Sequence, residues 1–298
     1  MTTQQPIKLG ANACMMGYIS THHYDGYFCL CTLSGQKEAQ MNNLLIHIPH
    51  SSYNIPEKYK SLFYISEKEL QQEQIKMTDS YTNELFDIKG IKKHIFPISR
   101  LICDVERFRN EKDEEMTKRG MWVCYTKTSD CKPLKITDNK HKQEILKLYY
   151  DKHHTLFEKL TEQKLKQNKK CLIIDAHSFS SKPLPYELHS KGFRPDICIG
   201  ADDFHTPNDI IEYFFNSFSE LGYTVKIKYP FCGTIVPLKF YRKNKNVTSI
   251  MLEINRALYM NEITGNRNRH FYKIQKDIQK IISSYLIRYR EFYPDNLI

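Results

Sequence analysis

The sequence predicts an α/β protein whose strands are buried in a parallel or mixed sheet, and three observations carry that prediction. Residues 44–52, LLIHIPHSS, are an apolar run stopped by Pro49, His50 and two serines. Residues 171–178, CLIIDAHS, repeat the same grammar, and segments of helical spacing alternate with such runs along the chain. Short apolar runs closed by turn residues fit strands covered on both faces. Each of these two runs delivers a histidine, His50 or His177, to the carboxyl end of its strand, where open α/β sheets bind ligands.

At 298 residues the chain can bury a full core, and one large domain is expected. Residues 1–41 read as an N-terminal extension without an assigned role, carrying His22-His23 and ending at Met41, and 42–298 as the domain proper. No apolar run reaches the length of a membrane span, and the N-terminus lacks the order of a signal peptide, so a soluble, cytoplasmic protein is expected; a monomer is expected as well. Nine cysteines without paired zinc spacing read as free thiols. A formal charge of +10 is spread over helices without aromatic interleaving, which reads as a solvated surface rather than a nucleic-acid interface.

In chain order, Ser66 and Glu69 form a capping box that opens a helix over 66–76. A second helix is expected near Thr78-Asp79, turning Tyr81, Leu85 and Phe86 inward, with Asp79 in its first turn as a cap. Residues 94–111 read as a strand entering a loop, with Arg100, Asp104, Arg107 and Arg109 near its exit. Such arginines either pair locally with acids or clamp a carboxylate bidentately. Residues 111–138 read as an irregular loop. Residues 139–168 read as one long helix with Ile145, Leu148, Tyr149, Leu156, Leu160 and Leu165 on its inner face. His153 and His154 within it read as partly buried or surface residues rather than ligands.

After the loop 179–195, a strand ends at Gly200, and Thr206-Pro207 opens a helix that Gly222 closes. Residues 223–230 alternate like a half-exposed strand, and 247–254 form the last strand, with Glu253 near its end. A final helix over 267–290 packs Phe271, Ile274, Ile278, Ile281 and Ile282 inward. Strand ends thus present His50, Asp104, His177 and Glu253. Two imidazoles and one carboxylate bind zinc and leave a position for water. A further glutamate beside them can act as general base. Those parts describe an amide hydrolase, and the absence of HExxH excludes the metalloprotease design built on that motif. The rival reading makes both histidines core residues with satisfied nitrogens.

PHSS at 49–52, TDSYTNELFD at 78–87, SRLICDVERF at 99–108, DAHS at 175–178, RPDICIG at 194–200 and LEINRALYM at 252–260 occur in this order. Together they resemble the N-formylglutamate amidohydrolases. The resemblance implies a zinc-carboxypeptidase-like fold, a mixed and mostly parallel sheet with helices on both faces, and hydrolysis of a small anionic N-acyl amino acid such as N-formyl-L-glutamate. It also implies one divalent metal, zinc, held by His50, Asp79 and His177, with Glu253 as the base and Arg107, joined by Arg100 and Arg256, anchoring a substrate carboxylate. Glu106 stands where the family pattern has asparagine, and residues 229–247 depart from the expected glycine-rich loop, though Gly233 is kept. Two other functions fit the same residues: a zinc peptidase acting on a peptide or cell-wall fragment, and a non-catalytic binder of anions or nucleic acid.

Overall fold

A computed structural model of the protein describes residues 43–188 and 192–292, so the expected extension and its paired histidines lie outside the described residues. The elements run β1 (Leu44–Ile48), α1 (Glu67–Met77), α2 (Thr82–Leu85), β2 (Lys92–Ile95), α3 (Asn139–Ile145), α4 (Asp151–Asn168) and β3 (Cys171–Phe179). They continue through β4 (Ile197–Gly200), α5 (Asn208–Glu220), β5 (Val225–Ile227), β6 (Val247–Asn255) and α6 (Phe271–Phe292). The six strands form one sheet in the order β2-β1-β3-β6-β4-β5. Neighbours are parallel except β4 and β6, which run antiparallel. The expected α/β architecture, with a mixed and mostly parallel sheet, is therefore the one observed.

Alternation along the strands gives the sheet two unlike faces. Leu44, Ile46 and Ile48 of β1, Leu172, Ile174 and Ala176 of β3, and Ile250, Leu252 and Ile254 of β6 join one core with Phe214 of α5 and Phe271, Ile274 and Ile278 of α6. The opposite face carries Leu45, Ile173 and Val247 against Phe157 of α4 at one end. Toward the carboxyl ends of β1 and β3, that face turns polar. Helices therefore cover both faces.

Local chemistry explains most element boundaries. The capping box at Ser66 is formed: Ser66 Oγ accepts from Glu69 N, and Glu69 accepts from Ser66 N at 2.8 Å. Residues 111–138 hold only two short 3-10 turns, as an irregular loop should. The final helix buries all five residues expected of it.

Several expectations need correction. The strand expected from residue 94 is the short β2, and Arg100, Asp104 and Arg107 lie in the loop beyond it. Asp79 precedes α2 without capping it; Tyr81, at φ 66°, is the residue before the helix. Thr206 does not cap α5, because its hydroxyl donates to Ser249 O at 2.6 Å. The helix over 139–168 contains a π-turn at Leu146–Tyr150 between α3 and α4. One extra residue in a turn advances the buried stripe. As a result Leu156, expected inside, is 48% exposed, whereas His153 and Phe157 are buried. His177 lies within β3 rather than beyond its end, since β3 runs on to Phe179. Among the described residues, no helix is long and apolar enough to cross a membrane.

Candidate functional site

His50 follows β1, and its carbonyl accepts from Asp79 N at 3.0 Å, which ties the end of β1 to the end of α1 and sets the two side chains together. His177 pairs in register with Glu253 across β3 and β6, so both side chains leave the same face of the sheet. Arg256 follows β6 directly, in a short 3-10 turn. Sequence positions spread from 50 to 256 thus converge on one cavity of about 470 Å³, lined by His50, Asp79, Arg107, His177 and Glu253 among others.

The two imidazoles face each other with ring centroids 5.3 Å apart. One oxygen of Asp79, Oδ2, stands 3.1 Å from His177 Nδ1 and 3.6 Å from His50 Nδ1. The other ring nitrogens are held from behind: His50 Nε2 by Asp104 Oδ1 at 2.9 Å, and His177 Nε2 by Asp175 Oδ1 at 3.0 Å. Carboxylates in that position fix the tautomer of a metal-binding histidine and raise its basicity. His50 Nδ1 is buried and has no hydrogen-bond partner. A buried polar atom left in that state is costly unless something occupies its lone pair.

A second carboxylate also reaches both rings. Glu106 Oε1 is 3.2 Å from His177 Nε2, and Oε2 is 3.9 Å from His50 Nδ1. His50, Glu106 and His177 therefore form a compact group of possible metal donors. Asp79 differs from Glu106 in offering a single oxygen to the Nδ1 atoms of both rings. Donors on a tetrahedral cation at about 2.0–2.1 Å are spaced about 3.3 Å apart, which the two Asp79 contacts bracket.

Charge compensation favours a cation at this point. Burial alone would disfavour the imidazolium of His177, but the charges of Glu106 and Asp175, with hydrogen bonds to Asp175 and Asp79, hold its pKa well above the ordinary value. A site that keeps positive charge on an imidazole is suited to a divalent ion in place of the proton. Burial would raise the pKa of Asp79, yet its hydrogen bond to His177, the nearby His50 imidazole and the charge of Arg256 hold it well below the usual carboxylate range. Asp104 is likewise held low against its burial by His50, Arg100 and Arg107. The donor set and its charges fit a divalent cation.

The arginines divide by role. Arg100 Nη2 donates to Asp104 Oδ2 at 2.9 Å, and Arg256 Nη2 to Asp79 Oδ1 at 3.0 Å. Both guanidiniums are thus directed at the carboxylates that surround the histidines. Arg107 lies 3.4 Å from Asp104 Oδ2 through Nε and keeps 15% of its side chain exposed at the cavity wall. Arg109 lies outside this group and pairs with Asp151.

Two polar groups were not singled out from sequence. His47 bonds Asp175 Oδ1 through Nδ1 at 2.9 Å and His153 through Nε2 at 2.9 Å, which extends the network beneath the cavity. Tyr125 donates to Asp104 Oδ2 at 2.5 Å. His47 interrupts an apolar run on the same strand face as the start of the site, and that alternation was the available signal. Tyr125, in an irregular loop, gave none.

A family model described as N-formylglutamate amidohydrolase matches residues 42–260. No curated protein matches the chain. Among solved structures, an N-formylglutamate amidohydrolase from Ralstonia eutropha is similar with a TM-score of 0.70 at 20% identity, over 83% of this chain and 95% of that one. A gene product from Agrobacterium tumefaciens is similar with a TM-score of 0.55 at 16% identity, over 83% of this chain and 93% of its own.

Proposed function

The chain belongs to the N-formylglutamate amidohydrolase family, and from that premise we propose that it is a zinc-dependent hydrolase of the amide bond in small N-acyl amino acids. The observation that carries this reading is the single Asp79 oxygen between two imidazole Nδ1 atoms, one of which has no hydrogen-bond partner. His50, Asp79 and His177 would hold the ion through those atoms. When bound there, a divalent cation supplies Lewis acidity and acidifies water from a pKa of about 16 to about 7.

The chain's own residues do the rest. Glu253, opposite His177 in the strand register, takes a proton from the attacking water and returns it to the departing amine nitrogen. Arg107 pairs with the substrate carboxylate and fixes the scissile bond relative to Glu253. Arg100 and Arg256 orient Asp104 and Asp79, so removing either disturbs the ion's cradle rather than the substrate's anchor. Asp175 keeps the His177 ring in place.

The test is formate release from a panel of N-formyl amino acids by zinc-loaded protein, by protein stripped with a chelator, and by stripped protein given zinc again. The expected result is turnover that disappears on stripping and returns with zinc. Turnover undiminished in metal-free protein, or none on any member of the panel with zinc bound, would contradict the proposal.

A further inference from the structure

We infer that Arg194 is a further substrate-binding residue of this site: its guanidinium receives a carboxylate on the substrate side chain, and so favours N-acyl acidic amino acids over their neutral amides. The inference rests on the hydrolase reading above and concerns the same cavity. Its first ground is an unsatisfied donor. The Arg194 side chain is 6% exposed, and among the described residues its buried Nη1 has no hydrogen-bond partner. An arginine keeps its charge at any working pH and offers five N–H donors in one plane. Burying one end of it unpaired is costly, and an arriving anion removes that cost.

The other end of the guanidinium is held. Nη2 donates to Glu187 Oε2, while Glu187 Oε1 accepts from Leu184 N at 2.9 Å, so the acid is itself fixed by backbone. The chain beside Arg194 is fixed as well. Asn255 Nδ2 donates to Pro195 O at 3.0 Å, and Asn255 N donates to Asp196 O at 2.9 Å. Asn255 closes β6 two residues beyond Glu253, which ties the backbone next to Arg194 to the strand carrying the proposed base. A fork held in this way meets a carboxylate with little left to order.

The second ground is location. Glu187 lines the cavity, and so do Phe179 and Phe231, whose rings pack on the guanidinium. The guanidinium carbon lies 5.6 Å from the Phe179 centroid and 5.5 Å from that of Phe231. Phe179 lies two residues beyond His177 on β3, hence on the same sheet face and about 6.6 Å along the strand. Arg194 therefore stands at the cavity wall next to the reaction centre. Arg100, Arg107 and Arg256, by contrast, face Asp104 and Asp79 around the histidines. Phe231 belongs to residues 231–237, a stretch with neither helix nor strand. Swinging its ring aside opens Nη1 to the cavity without disturbing the sheet.

The experiment titrates zinc-loaded protein calorimetrically with N-formyl-L-glutamate and the nearly isosteric N-formyl-L-glutamine, and follows formate release in parallel. The parent should bind the glutamate derivative about 10- to 100-fold more tightly, the scale that a hydrogen bond to a charged group supplies. Arg194→Gln should bring the ratio of the two affinities close to one. Arg194→Lys should give an intermediate ratio, because lysine keeps the charge and loses the fork. A merely structural role would weaken both ligands alike and leave the ratio at its parent value, which overturns the inference; equal binding of the two by the parent overturns it as well. If Arg194→Gln does not fold, the ratio in Arg194→Lys decides in the same way. An Arg194-dependent preference without formate release would support the anchor and contradict the hydrolase reading, whereas formate release with equal binding would do the reverse.

Discussion

The two faces of the sheet are made by alternate residues of the same strands, yet they behave as different materials. On one face Ile46, Ile174, Ala176 and Leu252 are fully buried among the side chains of α5 and α6. On the other, His47, Asp175, His177 and Glu253 leave the same three strands, and the first three are joined by polar contacts that His177 extends to the loop residues Asp79 and Glu106. The difference shows that a period of two lets one strand contribute to a dry core and to a polar site at once. It also separates stability from chemistry, residue by residue, in a way that substitution can break.

The largest expected effect is on the polar face. Glu253→Gln should cost about 10²- to 10⁴-fold in kcat, with metal content and unfolding midpoint near those of the parent, as read by steady-state kinetics and urea titration. Its mirror image is Ile174→Ala, one residue from Asp175 but on the dry face. That substitution should destabilise the fold by about 2–5 kcal/mol and leave kcat per folded molecule within about twofold. If Ile174→Ala removed activity without loss of stability, the separation of the two faces would fail.

A smaller effect should appear with pH, from histidines packed beneath the polar face. Burial first, and then the nearby charge of His47, pushes His94 down to about 3; burial also brings His154 down to about 4. Their folded values lie below the unfolded value of about 6.5, so the unfolded chain binds more protons once the pH drops below that point. Stability is therefore fullest near pH 7 and declines as the pH falls from about 6.5 toward 4. His94 alone should account for about 2 kcal/mol between pH 7 and 5. His177, whose pKa is raised, acts in the opposite sense, so the measurement is the difference in urea midpoint between parent and His94→Leu across that range. An identical pH dependence in both would show that His94 does not titrate as its burial requires.

Ser66→Ala gives the smallest change, about 1 kcal/mol, because it removes the cap of α1 without touching either face. A large loss of activity from that substitution would mean that α1 positions Asp79 more tightly than the capping energy suggests.

Much of this arrangement was readable in the sequence, for reasons that differ between residues. His50, His177 and Glu253 stood out because each interrupts or closes an apolar run, and a polar group there calls for a partner. Asp79 was not distinguishable from a helix cap by spacing; the family resemblance pointed to it, and the bond from its amide to the His50 carbonyl is a tertiary contact that no local pattern encodes. Arg100 and Arg256 were grouped with Arg107 because composition does not reveal which carboxylate an arginine faces. The inner face of the helix over 139–168 was misread from a constant period, which the π-turn breaks. Nor does composition state strand direction, so the reversal between β4 and β6 emerged only from the sheet.

The central claim, that the polar face is a metal site completed by Asp79, is tested most directly by zinc stoichiometry after equilibrium dialysis of the parent, His177→Ala, Asp79→Asn and Glu106→Gln. The account predicts about one zinc per chain in the parent and in Glu106→Gln, and loss of bound zinc in His177→Ala and Asp79→Asn. Retention of zinc by Asp79→Asn together with its loss from Glu106→Gln would contradict the assignment and give the third position to Glu106.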